Sequence, residues 1–262
     1  MIIIGERISI IAKKVREAMT KRDPKPIQEL AKAQWKAGAN FIDVNIGPAE
    51  DNGDELMSWM VRIIQEKVPL PLCLDTTNPV AMEGGLKAHN NQWGRSLINS
   101  TSNQPERFVM LEHAAKYNAR IIGLTLGKGG IPADAEERCA IASEIMARAM
   151  EYGVSLEDIF LDPLILQIST MQDQATMAIK AIKMFKDLND PPMKTVVGLS
   201  NISNGSPKEL RGLINRTYLT LLMYEGLTAA IMDPTDKEIV EVVKTTDIFI
   251  GNTLYAHSYL EM

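Results

Sequence analysis

Short runs of apolar and β-branched residues, each closed by Gly, Asp, Asn or Pro, alternate along this chain with longer stretches whose apolar positions recur at helical spacing. Eight such runs read as strands: Met1 to Ile4, Phe41 to Asn45, Leu72 to Asp75, Ser96 to Asn99, Arg120 to Thr125, Ile159 to Asp162, Thr195 to Leu199 and Ala229 to Met232. A strand-then-helix order repeated eight times predicts a parallel α/β sheet, and eight units favour closure into a TIM (β/α)8 barrel over an open doubly wound sheet. Helix starts are marked by Asp134 with Glu137 and by Thr235 with Glu238, both at capping-box spacing. After the first, Ala135, Cys139, Ala142, Ile145, Met146 and Ala149 share one face, which makes Cys139 a core residue. The tail from Asn252 to Met262 follows the last strand and is expected to add a short final helix.

A chain of 262 residues, 45% hydrophobic and 23% charged, has the size and composition of one barrel domain spanning residues 1–262. No run of eighteen apolar residues occurs, and the opening MIII meets GER at once. Neither a membrane span nor a secretory signal is therefore expected, and a cytoplasmic protein is. The net charge of -5 lacks the basic stripe that phosphate backbones require, which argues against nucleic acid while leaving local arginines free to meet a carboxylate. Two cysteines, Cys73 and Cys139, and three histidines, His89, His113 and His257, are too few and too scattered for a thiolate or imidazole metal cluster, so no metal of its own is expected. The histidines read as surface residues. Cys73, flanked by Leu72 and Leu74, reads as packing, and the fifteen methionines as core filling.

In a barrel, the residues that end the strands converge on one face although they are distant in sequence. Here they read GER (Gly5–Arg7), DVNIGP (Asp43–Pro48), LDTTN (Leu74–Asn78), INST (Ile98–Thr101), LDPL (Leu161–Leu164) and GLSNIS (Gly198–Ser203). Carboxylates and amides dominate. They suit a planar heterocycle with ring nitrogens and an exocyclic amine, because carboxylates accept N–H groups and amides serve both donors and acceptors. No Ser-His-Asp triad or Walker loop is present. Each residue also has a structural alternative. Asp75 and Asp162 could cap the following helices, Asn99, Asn201 and Asn45 could form turns, and Arg211 and Arg216 could make surface ion pairs. For Glu6 and Arg7 an ion pair fastening loops is the favoured reading.

Taken in order, these motifs, with LCLDTTN from Leu72, LINST from Leu97, IIGLT from Ile121, LDPLIL from Leu161 and LINRTYL from Leu213, resemble the methyltetrahydrofolate:corrinoid/iron-sulfur protein methyltransferases. These are pterin-binding TIM barrels, and the likeness covers nearly the whole chain. The resemblance implies that Asp75, Asn99 and Asp162 hydrogen-bond the pterin, that Gly198 and Ser200 line its pocket, and that Asn201 is a mobile catalytic amide near N5. Arg211 and Arg216 join the substrate-binding candidates, with Glu6 and Asn45 as weaker ones. It further implies tetrahydrofolate or 5-methyltetrahydrofolate as substrate, cobalamin carried by a separate corrinoid protein, and a homodimer.

Two stretches depart from the family pattern. GERIS stands where GERIN is expected, and Arg211 is followed by Gly212 where the family has proline, after a longer loop from Asn204 to Leu210. The expected chemistry is electrostatic: Asn201 and ordered water stabilise protonated N5 while the pterin is gripped remotely. Either direction of transfer is open. The rivals are a dihydropteroate synthase-like enzyme and a noncatalytic folate-binding subunit of a corrinoid assembly.

Overall fold

The computed structural model describes residues 1–260. Eight parallel strands close a barrel in chain order: β1 (Ile2–Ser9), β2 (Phe41–Asn45), β3 (Leu72–Asp75), β4 (Leu97–Ser102), β5 (Arg120–Leu124), β6 (Ile159–Asp162), β7 (Lys194–Gly198) and β8 (Ala229–Met232). The expected bounds of β2, β3, β6 and β8 match. β1 runs five residues further than its apolar run suggested and contains the whole GER motif, pairing with β2 as far as Ser9 with Asn45. β4 likewise continues to Ser102, and β7 ends one residue early, where Leu199–Ser203 turn into a 3-10 segment.

Helices surround the barrel: α1 (Lys13–Lys21), α2 (Pro24–Lys36), α3 (Gly53–Gln65), α4 (Pro79–Ala88), α5 (Val109–Tyr117), α6 (Ala135–Glu151), α7 (Gln172–Lys186), α8 (Lys208–Glu225), α9 (Lys237–Phe249) and α10 (His257–Leu260). α10 lies in the tail where a final helix was expected; Glu261 and Met262 fall outside the described residues. Asp134 caps α6 by accepting from the Glu137 amide at 2.8 Å, while the Glu137 carboxylate reaches back to the Ala133 amide at 2.7 Å. The second expected capping box is displaced. Asp236, not Thr235, caps α9, because Asp233 Oδ1 takes both the amide and the hydroxyl of Thr235. None of the described helices is long and apolar enough to cross a membrane.

The strand period of two decides what the barrel encloses. Ile4, Phe41, Cys73, Leu97, Ile122, Phe160, Val196 and Ala229, one from each strand, pack into a single apolar cluster. Fully burying a side chain of this kind contributes about 1.5–3 kcal/mol. Cys73 and Cys139 are both buried, as expected for packing residues. His89, expected at the surface, is buried: its Nε2 accepts from the Leu72 amide at 3.1 Å and so fastens the start of β3.

Candidate active site at the barrel mouth

Two residues beyond each member of that cluster, the same inward rows carry Glu6, Asp43, Asp75, Asn99, Leu124, Asp162, Gly198 and Ile231. Six of the eight are carboxylates, an amide or a glycine. The site is thus the upper storey of the barrel interior, and its residues are far apart in sequence only because each strand contributes one.

On the β2–β4 side, Asn45 Nδ2 donates to Asp75 Oδ2, and Asn45 Oδ1 accepts from the Gly47 amide at 3.1 Å, so the amide's orientation is set. Asn99 Nδ2 lies 3.5 Å from Asp43 Oδ1. Arg107 donates to the carbonyls of Thr77 at 2.7 Å and Ser100 at 2.5 Å, and its charge favours ionised Asp75. Asp75 does not cap α4; Asn78 does, accepting from the amides of Val80 and Ala81.

Across the mouth, Glu6 accepts from Ser200 Oγ at 3.0 Å, tying β1 to the segment that carries Asn201. The ion pair expected of the GER motif belongs to Arg7 alone, which meets Asp233 at 3.5 Å and Thr235 at 2.8 Å. Glu6 points inward instead because it follows Ile4 by two. Gly198 has an ordinary backbone, yet a Cβ built on it would stand 3.0 Å from Asn201 Nδ2. The missing side chain therefore leaves room for the Asn201 amide, which is exposed at the opening. Asp162 caps no helix either: its Oδ1 accepts from the Leu164 amide at 2.8 Å, in a turn where Leu164 takes φ of 61°.

Burial dominates the electrostatics, since desolvation penalises a carboxylate. It pushes Glu6 up to about 7, with Asp233 adding to the rise and Ser200 opposing it. It pushes Asp162 up to about 7, opposed by the Leu164 amide and by Arg138, and Asp75 up to about 6, opposed by Asn45 and Arg107. Asp43 rises well above the carboxylate range through burial and then repulsion from Asp75. The Cys73 thiol, buried beside Asp43, rises as well, which leaves it a packing residue. Glu6, Asp75 and Asp162 therefore protonate near neutrality, and a ligand offering N–H groups stabilises their ionised forms.

Asp43 was not among the site candidates read from the sequence, although its place two residues after Phe41 marks it as inward-facing. Arg107 was also missed. Arg211 and Arg216 stand apart from the cluster: Arg211 Nε donates to the Ser206 carbonyl at 2.9 Å, and Arg216 forms an ion pair with Glu238. A groove of about 860 Å³ between α2 and α9, floored by Ile3, Val240 and Val243, is lined by none of the carboxylates described above. The chemistry is concentrated at the mouth, where polar side chains from five strands converge with Ser200 and Asn201 just after β7.

Residues 12–233 match the model of the pterin binding enzyme family. The chain is 30% identical to a methylcorrinoid:tetrahydrofolate methyltransferase of Eubacterium limosum, over 99% of this chain and 94% of that protein. It is 30% identical to the methionine synthase of Mycobacterium leprae over 88% of this chain, but that match spans only 20% of the synthase. A solved dihydropteroate synthase from Xanthomonas albilineans superposes with a TM-score of 0.71 at 14% identity, over 97% of this chain and 93% of that one, which speaks to the fold alone. With its closed barrel, its polar upper storey and a family match over most of its length, the chain belongs to the pterin binding enzyme family.

Proposed function

We propose that this protein moves a methyl group between N5 of tetrahydrofolate and the cobalt of a corrinoid carried by a partner protein. The observation that carries the reading is the end-to-end similarity to the Eubacterium limosum methyltransferase; the mouth supplies a physical fit. Asp75, Asn99 and Asp162 lie on strands β3, β4 and β6 and accept or donate along the edge of a flat pterin. Asp43 and Asn45 support that grip from β2, while Gly198, Ser200 and Asn201 form the opposite wall. Arg211 and Arg216 are left for the carboxylate end of the folate only if their present partners Ser206 and Glu238 are exchanged.

With tetrahydrofolate as acceptor, the N5 lone pair forms the new bond to carbon and the carbon–cobalt electron pair stays on cobalt. N5 then releases its proton, and the reverse transfer returns a proton to N5. Asn201 cannot serve as a useful acid, so its part is to orient toward N5 and stabilise the charge that develops there. The proton is exchanged with water, while the carboxyls at the mouth grip the pterin away from N5. The corrinoid supplies cobalt as methyl donor or acceptor and arrives on its own protein. We further read the functional unit as a cytoplasmic homodimer of single-domain chains, a state that sedimentation of the purified protein tests.

Incubating the protein anaerobically with methylcobalamin and tetrahydrofolate, and separating the folates by chromatography, tests the reading. Formation of 5-methyltetrahydrofolate that depends on the protein supports it. Tight folate binding without product, even when a methylated corrinoid protein replaces the free cofactor, contradicts it and favours a noncatalytic folate-binding role.

A further inference from the structure

Arg138, in the first turn of α6, is fully buried and is the largest fully buried side chain described. Burying a guanidinium is costly unless all its donors are met. Here every partner is uncharged. Nε donates to the Pro163 carbonyl at 2.7 Å, Nη1 to the carbonyls of Asp134 at 2.9 Å and Pro132 at 3.3 Å, and Nη2 to Gln174 Oε1 at 2.8 Å. Gln174 is held in turn, its Nε2 donating to the Ala133 carbonyl at 3.0 Å. The side chain thus fastens the loop after β5 to the loop after β6.

The peptide unit that receives Arg138 Nε is the one whose other end serves the site. The Pro163 carbonyl and the Leu164 N–H belong to one planar amide, and that N–H donates to Asp162 Oδ1 at 2.8 Å. A cation at the oxygen end polarises the amide, which strengthens the hydrogen bond its N–H makes to a carboxylate. Immediately after this N–H the chain turns through Leu164, whose backbone is left-handed at φ of 61°.

We propose that Arg138 is a positioning residue for pterin recognition, acting through the Pro163–Leu164 peptide to fix the orientation of the Asp162 carboxylate and hold it ionised. The proposal rests on the folate-binding reading given above. Arg138 is the one charged side chain that perturbs Asp162 among the described residues. Asp134 and Glu137 on the start of α6 and Tyr218 on α8 act on Arg138 itself. Asp173 on α7 receives a Gln174 amide hydrogen at 3.2 Å. Arg120 and Lys194 sit at the far ends of β5 and β7.

The test is tetrahydrofolate affinity as a function of pH, by anaerobic calorimetry, for the native protein, Arg138→Gln, Arg138→Lys and Gln174→Leu. An ionised Asp162 is the form that accepts pterin N–H groups, so affinity falls as pH drops through its titration. Arg138→Gln is expected to weaken binding about tenfold at pH 7 and to move the falling limb to higher pH, with Arg138→Lys restoring part of the shift. Gln174→Leu, which keeps the charge and loosens only its anchor, is expected to weaken binding a few-fold with little movement of that limb; where Arg138→Gln does not fold, Arg138→Lys, expected to move the limb in the same direction by less, takes its place. A folded Arg138→Gln whose affinity falls without any movement of the pH limb overturns the proposal and leaves a purely structural arginine. So does a folded Arg138→Gln, or Arg138→Lys standing in its place, that keeps the native affinity and limb. Failure of the native protein to bind tetrahydrofolate at any pH instead defeats the folate reading itself.

Discussion

Two storeys of the same barrel interior, separated by two residues on each strand, follow opposite physics. The lower one is Ile4, Phe41, Cys73, Leu97, Ile122, Phe160, Val196 and Ala229, an apolar plug that removes side chains from water. The upper one replaces Ile4 by Glu6, Phe41 by Asp43, Cys73 by Asp75, Leu97 by Asn99 and Phe160 by Asp162, and desolvation works against it. Stability and function therefore part company in this fold: the lower storey fixes the strands, and the upper spends some of that stability on buried carboxylates.

The largest effect expected from breaking this contrast is in the plug. Phe160→Ala leaves a cavity among the other seven strands' side chains and should lower stability by about 3–5 kcal/mol, read from the denaturant midpoint. Next comes Asn201→Ala, which leaves the plug intact and should slow methyl transfer by roughly 10²-fold with little change in folate affinity, the pattern of a contact made mainly in the transition state. Single-turnover kinetics at saturating folate check it.

Asp162→Asn should weaken folate binding yet stabilise the ligand-free protein by roughly 1–3 kcal/mol above pH 7. The sign follows from its titration. A carboxyl at about 7 in the folded protein and 3.8 unfolded favours folding while protonated, and that advantage is lost as pH rises from 3.8 through about 7. The gap between variant and native protein in thermal melts should therefore be widest above pH 7 and close toward pH 4. The smallest effect is Gly198→Ala, whose added carbon would sit 3.0 Å from Asn201 Nδ2. A few-fold loss in transfer rate, with an unaltered melting temperature, would show that the glycine is there for the asparagine.

The contrast between storeys also explains what the sequence disclosed. β2, β3, β6 and β8 end at the residue expected because each short apolar run closes on Asn, Asp or a turn. Glu6 and Arg7 interrupt the hydrophobic run of β1 and so hide its last five residues, although one faces the barrel interior and the other faces Asp233 outside. Asp43 lies inside the DVNIGP motif yet is not singled out by it, because an acid inside a strand looks like an alternating solvent-facing position until the barrel closes around it. Arg138 falls on the apolar face of α6 with Ala135, Ala142 and Ile145, and that misplaced charge was the available signal. His89 and Asp236 depend on partners brought by other elements or by the neighbouring turn, Leu72 for the one and Asp233 drawing Thr235 away from the cap for the other. Motif order singles out Asp75, Asn99, Asp162, Gly198, Ser200 and Asn201, and the barrel brings them to one mouth, where their roles belong to the proposed function.

The central claim, that this mouth carries methyl transfer between folate and a corrinoid, is tested most directly by anaerobic rapid-scan absorbance of cob(I)alamin mixed with the protein and saturating 5-methyltetrahydrofolate. Loss of the cob(I)alamin spectrum as methylcobalamin appears is expected, dependent on the native protein and slowed by roughly 10²-fold in Asn201→Ala. Conversion at the same rate in the variant would remove the chemistry from Asn201. No conversion by the native protein, with free cobalamin or with a corrinoid protein, would contradict the claim itself.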